Sequence, residues 1–169
     1  MQRLNCFQGN RGSKIIFVLI ISLVTAVDQL SKFLVRDNLY IGESVPEEGI
    51  LRLTHVTNDG AVFGLPSNMV FSIIIPILII IVVFFLHYKY SLLSNILANV
   101  SLGLIIGGGI GNLIDRIHQS YVTDFVDIRL WSDFHWPTFN VADTTLVIGT
   151  ILFVYFLLNS KIFQSVDTE

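Results

Sequence analysis

The sequence predicts an integral membrane protein that is mainly α-helical, with four transmembrane helices and a small outward-facing β platform formed by two outer loops. Only 14% of its 169 residues are charged and its mean hydropathy is +0.70, whereas soluble domains carry roughly 25% charged residues. Four apolar segments each reach the roughly 17–25 residues that a helix needs to cross a bilayer. We expect a single membrane-embedded domain with helices at about 15–35, 67–87, 92–114 and 142–160.

The first helix has an alternative interpretation as a signal peptide, because basic residues precede its apolar stretch. No small-x-small cleavage site follows it, since Val27 runs into Asp28 and then Lys32. We therefore interpret it as a spanning helix. Four spans place both termini on one side, and the denser basic charge of the short segments on that side predicts that it is the cytoplasm.

Several functional classes are disfavoured by composition. No basic run is long enough to bind nucleic acid, and the single cysteine, Cys6, has no partner in the chain for a disulfide. The four histidines are scattered without metal-ligand spacing. We expect neither a metal nor a cofactor.

The outer loops, at 36–66 and 116–140, each contain an alternating stretch. Apolar residues alternate around Leu51, Leu53 and Val56, and again along 121–129. Alternation with period two predicts one short strand in each loop. The dipeptide Asp59-Gly60 is a turn signal after the first strand.

Unusual polar residues converge on the outer membrane surface. They are Asp28 and Lys32 at the end of helix 1, Asn112, Asp115 and Arg116 at the end of helix 3, Asn140 and Asp143 at the start of helix 4, and Asn58 and Asp124 in the loops. Ionisable groups near lipid are costly, so such a cluster predicts a functional site.

Most members of this cluster also have a purely structural interpretation. Asp28 and Lys32 are four residues apart, so they can pair on the helix surface and extend to the interface. Asn140 and Asp143 match a helix N-cap with an acid at its third position. Asp115 and Arg116 can be ordinary interfacial charges.

Glycines on helix 3 favour close helix packing. Gly103, Gly107 and Gly111 recur every four residues, and Asp115 continues the stripe. Such spacing lets membrane helices approach closely. We expect this packing to bring Asn112 and Asp115 against the neighbouring helices.

Two acids on the second strand differ in their expected surroundings. Period-two alternation puts Asp124 among valines and isoleucine, where its ionisation is costly. Asp127 lies on the other face beside Arg129, and we interpret it as a solvated pair that tolerates substitution.

Asp124 and Asp143 remain the two acids in costly places. Two carboxylates held close share one proton, so the charged one can activate a water while the protonated one hydrogen-bonds a substrate carbonyl.

The chain resembles the lipoprotein signal peptidases, also called signal peptidase II. Five stretches carry the resemblance in the same order: D-Q-L-S-K at 28–32, N-D-G-A-V-F at 58–63, G-N-L-I-D-R at 111–116, D-F at 124–125 and F-N-V-A-D at 139–143. The resemblance covers nearly the whole chain.

The resemblance implies an aspartyl endopeptidase of the bacterial cytoplasmic (inner) membrane, with its active site at the outer face. Its substrates would be lipid-modified prolipoproteins, cut just before the diacylglyceryl-modified cysteine, in contact with membrane lipid. It implies inhibition by globomycin-type cyclic peptides. Asp124 and Asp143 would be catalytic, with the other residues binding substrate or supporting the site: Asn58, Gly60, Phe63, Asn112, Asp115, Arg116, Asn140, Asp28 and Lys32.

Two other functions remain as alternatives. A small proton-coupled transporter usually carries ionisable groups near the bilayer midplane, where this chain has apolar residues and glycines. A non-catalytic membrane subunit would not require two acids in such costly positions.

Overall fold

The computed structural model describes residues 11–60, 69–89, 95–131 and 134–160. Within these ranges the chain forms four helices and four strands. In chain order they are α1 (Arg11–Asn38), β1 (Ser44–Val45), β2 (Leu51–Asn58), α2 (Met69–Lys89), α3 (Ile96–Gln119), β3 (Val122–Trp131), β4 (Phe134–Phe139) and α4 (Val141–Asn159).

Three of the described helices are long and apolar enough to cross a membrane: Ile15–Asn38 within α1, Ile96–Gln119 and Val141–Asn159. Large apolar side chains cover their outer surfaces, and Leu158 is 75% exposed. Exposed apolar surface on several helices of this length is typical of contact with lipid, and the chain is a multi-pass membrane protein. The apolar stretch Ile73–Phe85 in α2 is shorter than these three spans. That α2 crosses the membrane therefore stays a prediction.

Two helices end later than the sequence suggested. Helix α1 continues past residue 35 to Asn38, and α3 continues past residue 114 to Gln119. Helix α3 is capped by Ser120, which has a left-handed conformation with a φ of 69° and whose N–H donates to the Arg116 carbonyl. The apolar stretch stops earlier than the helix because polar side chains of the last turns bind protein groups instead of lipid. Asp28 and Asn112 consequently lie inside helices and not at their ends.

Helix α3 lies between α1 and α4 and packs closely on both. Its glycines face α1 side chains that also recur every four residues: Gly103 faces Ile20, Gly107 faces Val24 and Gly111 faces Asp28. A Cβ added at Gly107 would lie 2.8 Å from the Cβ of Val24, closer than two carbons can approach. The predicted close packing of helix 3 is confirmed.

The four strands form one antiparallel sheet in the order β1-β2-β3-β4. The two predicted strands correspond to β2 and β3. Strand β4 was not predicted, because Pro137 interrupts it and no period-two alternation marks it. Proline is tolerated there because β4 is an edge strand. The sheet places β3 against α1 and α3, and β4 leads directly into α4.

Candidate active site

Helix α4 begins with a capping box that also fixes two candidate site residues. The Asn140 side-chain oxygen accepts from the Asp143 N–H at 2.9 Å, and the Asp143 carboxylate accepts from the Asn140 N–H at 3.2 Å. The N-cap interpretation is therefore confirmed. Because Oδ1 of Asn140 is held by the helix, its Nδ2 group points away from the helix end and can donate elsewhere.

Asp124 is the acceptor of that amide. It lies on β3, is 1% exposed, and accepts from Asn140 Nδ2 at 2.7 Å and from Asn58 Nδ2 at 2.9 Å. Asn58 is itself oriented, because its Oδ1 accepts from the Gly60 N–H at 2.9 Å. Gly60 has a φ of +77°, a conformation that glycine adopts without strain. Both oxygens of Asp124 thus face amide donors.

The pKa of Asp124 is raised to about 6. Burial is the largest cause and the negative charge of Asp143 acts in the same direction, while the hydrogen bonds from Asn58 and Asn140 and the charge of Lys32 oppose them. Asp143 is therefore close enough to Asp124 for its charge to oppose the ionisation of Asp124. A carboxyl with this pKa can hold a proton near neutral pH, which an ordinary aspartate cannot.

Asn112 connects the acids to the helices. Its Nδ2 donates to Asp143 Oδ1 at 2.8 Å, and its Oδ1 accepts from Lys32 Nζ at 2.9 Å and from Asn140 Nδ2 at 3.1 Å. The lysine fixes which way this amide points, because an ammonium group can only donate. Asn112 therefore presents a donor, and not an acceptor, to Asp143.

Lys32 also holds a buried ion network. Its Nζ lies 2.8 Å from Asp28 and 3.4 Å from Asp115, and all three side chains are fully buried. The expected pairing of Asp28 and Lys32 is confirmed, but the lysine does not extend to the interface. The interpretation of Asp115 as an ordinary interfacial charge is wrong. The second oxygen of Asp28 accepts from the Ala142 N–H at 2.9 Å, so α1 caps the start of α4.

Asp115 extends the network to the sheet. Its carboxylate accepts from the Thr123 N–H at 3.0 Å and from Gln29 Nε2 at 3.1 Å. Arg36 lies 3.6 Å from the same carboxylate and donates to Thr123 Oγ1 at 3.0 Å. The roles of Gln29, Arg36 and Thr123 were not predicted. Gln29 lies in the D-Q-L-S-K stretch at 28–32, one of the five that carry the family resemblance, and this was a signal that it belongs to the site.

Two cavities open beside Asp143. One of about 250 Å³ lies between α2, α3 and α4, where Arg116 and Asn112 form its polar end and Pro76 part of its apolar wall. The other, of about 320 Å³, lies between β4 and α4 and is lined mostly by apolar groups, among them Trp136 and Phe139. A third and more open depression beside β1 touches neither acid. Both neighbouring cavities are lined mainly by apolar groups with a few polar groups near Asp143, a lining typical of ligand sites.

The interpretation of Asp127 as a solvated acid is wrong. It is 3% exposed and binds Arg52 and Thr54 on β2 and His135 on β4. Burial opposes its ionisation, but the hydrogen bonds from His135, Thr54 and Arg52 outweigh that effect and hold its pKa below the usual range. Both faces of this part of β3 are covered, which period-two reasoning could not show.

The structure thus joins most of the predicted residues into one hydrogen-bonded unit: Asp28, Lys32, Asn58, Gly60, Asn112, Asp115, Asp124, Asn140 and Asp143. Arg116 lines the adjoining cavity. Phe63 lies outside the described residues. Within the ranges that are described, no three histidine, cysteine or acidic side chains are grouped so that they could hold a metal ion.

Known proteins resemble this chain along most of its length. A lipoprotein signal peptidase of Moorella thermoacetica is 40% identical over 143 residues, covering 84% of this chain and 92% of the relative. One of Halothermothrix orenii is 39% identical over 141 residues, covering 82% and 92%. A solved structure described as a bacterial membrane enzyme, determined by the in meso method, superposes with a TM-score of 0.75 at 34% identity and covers 90% of this chain and 93% of its own.

The sequence model of the family described as Signal peptidase (SPase) II matches residues 20–159. That range contains every candidate site residue. A fold of apolar helices with a small antiparallel sheet agrees with the solved bacterial membrane enzymes. The chain therefore belongs to the signal peptidase II family, whose members are proteases of lipoprotein processing.

Proposed function

We propose that this protein is an aspartyl endopeptidase that removes the signal peptide from diacylglyceryl-modified prolipoproteins, cutting just before the lipidated cysteine. Asp124 and Asp143, hereafter the acid pair, carry the reaction. The observation that supports this most directly is Asn140, which caps Asp143 through its oxygen and donates to Asp124 through its nitrogen. One amide thereby sets the position of both carboxyls.

The acid pair holds one proton in its active form. Asp124 carries it, because its pKa is raised, chiefly by burial, to about 6, well above that of an ordinary aspartate. This proton passes from Asp124 to the oxygen of the scissile carbonyl as the water adds. Asp143 takes a proton from the attacking water, whose oxygen adds to the carbonyl carbon. The C–N bond then breaks, and the proton gained by Asp143 passes to the departing amine of the modified cysteine. Asp124 recovers its own proton as the carbonyl of the new carboxyl group re-forms.

The remaining site residues orient this pair. Asn112 and Asn140 direct N–H groups at the carboxyls, while Asn58 and Gly60 hold the outer side of Asp124. Arg116 offers a positive charge to the substrate backbone at the polar end of one cavity. By resemblance, Phe63 belongs to the loop over the site. The buried set Asp28, Lys32 and Asp115 fixes the helices that carry these groups.

The two cavities beside Asp143 suit a substrate that brings both a signal peptide and lipid chains. Each is largely apolar away from the acid. Globomycin-type cyclic peptides would compete for the same space. We further propose that α2 crosses the membrane as the fourth span, that both termini are cytoplasmic, and that the acid pair lies at the outer face of the bacterial inner membrane.

The test uses purified full-length protein in detergent with two precursors of one sequence, one diacylglyceryl-modified and one with a free cysteine thiol. Mass spectrometry identifies the bond that is cut. We expect cleavage only of the modified precursor, only before its cysteine, and none with Asp124→Asn or Asp143→Asn. Asp37→Asn, an exposed acid at the end of α1, is the matched control and should cleave normally.

Equal cleavage of both precursors would refute the substrate assignment. Turnover by either aspartate variant, with helix content intact, would refute the acid pair. If the folded protein binds the modified precursor but never cleaves it, the non-catalytic alternative would replace this proposal.

A further inference from the structure

A second buried acid on β3 has no role in the reaction described above. Asp127 binds three side chains, and they lie on both neighbouring strands. Its Oδ2 accepts from Thr54 Oγ1 at 2.8 Å and from Arg52 Nη2, while its Oδ1 is 2.9 Å from His135 Nδ1. We call these four residues the Asp127 cluster. Arg52 and Asp127 are also direct partners in the β2–β3 register.

The backbone ladder is interrupted on both sides of Asp127. In β2, Thr54 and His55 together lie opposite the single residue Phe125. In β4, Pro137 and Thr138 together lie opposite Asp127 itself. Each interruption leaves residues without a ladder partner, and Pro137 has no N–H to donate. Backbone hydrogen bonds alone are therefore a weak determinant of register here.

Along β2 and β4, each interruption begins at or just after a residue of the Asp127 cluster and comes before the amide that holds Asp124. Beyond the first, β2 pairs Val56 with Asp124 and ends at Asn58. Beyond the second, β4 pairs Phe139 with Val126 and leads into Asn140. A one-residue slip moves a strand by roughly 3.3 Å and reverses its faces. Such a slip would break the bonds of 2.7 and 2.9 Å that Asn140 and Asn58 make to Asp124.

We propose that Asp127 is a positioning residue, whose carboxylate locks β2 and β4 in register against β3 and so holds Asn58 and Asn140 on Asp124. This inference rests on the proposed acid pair. Thr54 is itself one of the two bulged residues of β2, so its bond to Asp127 fixes the bulge directly. His135 makes the equivalent bond from β4, two residues before its bulge.

Asp127→Asn tests this proposal, because it keeps the shape of the side chain but replaces an acceptor with a donor. We expect kcat to fall on the order of 10²-fold, as for a displacement of about 1 Å at a reacting group, with KM little changed. The hydrogen bonds from Asn58 and Asn140 lower the pKa of Asp124, so weakening them moves the alkaline limb of the activity profile to higher pH. A merely stabilising residue would leave that limb in place.

His135 supplies a matched pair of variants in case Asp127→Asn does not fold. Its side chain is 41% exposed, so both variants should fold. Asn places an amide nitrogen near the position of His Nδ1, so His135→Asn should retain most activity. His135→Ala should lose about tenfold in kcat, a value expected for one lost positioning contact.

Asp124→Asn in the same assay separates the two proposals. If it retains turnover, the acid pair itself is refuted. If it is inactive while Asp127→Asn and His135→Ala keep wild-type kcat and an unmoved alkaline limb, the positioning role of Asp127 is overturned and the acid pair stands. Loss of activity in His135→Asn equal to that in His135→Ala would also count against the positioning role.

Discussion

Replacing Asp124 by Asn should abolish cleavage, yet the variant should gain stability relative to the wild type as the pH rises from acidic to neutral. The pKa of Asp124 is raised from 3.8 to about 6 in the folded protein. Folding therefore favours the protonated acid. The contribution of this group to stability is fully present below pH 3.8 and is lost as pH rises through about 6.

The magnitude follows from those two values. One pKa unit corresponds to about 1.4 kcal/mol, so the wild type should lose about 3 kcal/mol between pH 3.5 and pH 7.5 through this group. Asn at 124 does not titrate. It also turns an N–H toward Asn58 or Asn140, both of which donate to Asp124. The free-energy cost of placing two N–H donors face to face is independent of pH, so it cancels when the stabilities at pH 3.5 and pH 7.5 are compared.

The assay is thermal unfolding in detergent, followed by circular dichroism, for wild type and variant across this pH range. The unfolding midpoint of the variant, relative to that of the wild type, should rise by about 6–12 °C from pH 3.5 to pH 7.5. This follows because 1 kcal/mol shifts the midpoint by roughly 2–4 °C for a protein of this size. Asp127→Asn is the contrast. The pKa of Asp127 is lowered, so its stabilising effect is lost as pH falls below 3.8, in the opposite direction to that of Asp124. A difference between wild type and Asp124→Asn that stays constant from pH 3.5 to pH 7.5 would refute the reasoning.

Four further predictions concern the reaction and the fold. Activity should be bell-shaped in pH, and the alkaline limb of kcat/KM should have a midpoint near pH 6, the value raised by burial of Asp124; a flat profile would exclude a shared proton. Asp124→Asn, Asp143→Asn and the double variant should be about equally inactive, because the acids act as a unit, whereas additive losses would mean separate roles. Gly107→Ala should destabilise by about 1–3 kcal/mol through overpacking, while Gly109→Ala, whose added Cβ meets Ile80 at an ordinary 3.5 Å, should change stability little in the same unfolding measurement. A reporter fused after Glu169 should be active in the cytoplasm, and activity only outside it would invert the topology.

Sequence patterns predicted best where a single local rule decided the structure. Apolar length located the helices, glycine spacing located the α1–α3 contact, and Asn140 followed by Asp143 located the start of α4. Each depends on residues within a few positions of one another. The two strands with clear alternation, β2 and β3, were predicted for the same reason.

Features that depend on distant partners were missed or wrong. Asp127 was interpreted through its neighbour Arg129, but its acceptors are used by β2 and β4 side chains. Helix α1 extends to Asn38, and Arg36 in its last turns binds Thr123, a residue 87 positions away. Nothing local in the sequence marks such contacts, because they exist only after the strands have paired.

The pairing of Asp28 with Lys32 has a consequence for biogenesis. Asp28 accepts from Ala142, which is 114 residues later in the chain. At roughly 5–20 residues per second, a ribosome needs about 6–23 seconds to synthesise that interval. During this time α1 must enter the bilayer without its later partners, and a lone carboxylate or ammonium there is costly. Asp28 and Lys32 lie four residues apart on α1 and form an ion pair about one helical turn long. The pair lowers the cost of burying each charge, so the nascent helix carries its own counter-ion until α3 and α4 are inserted.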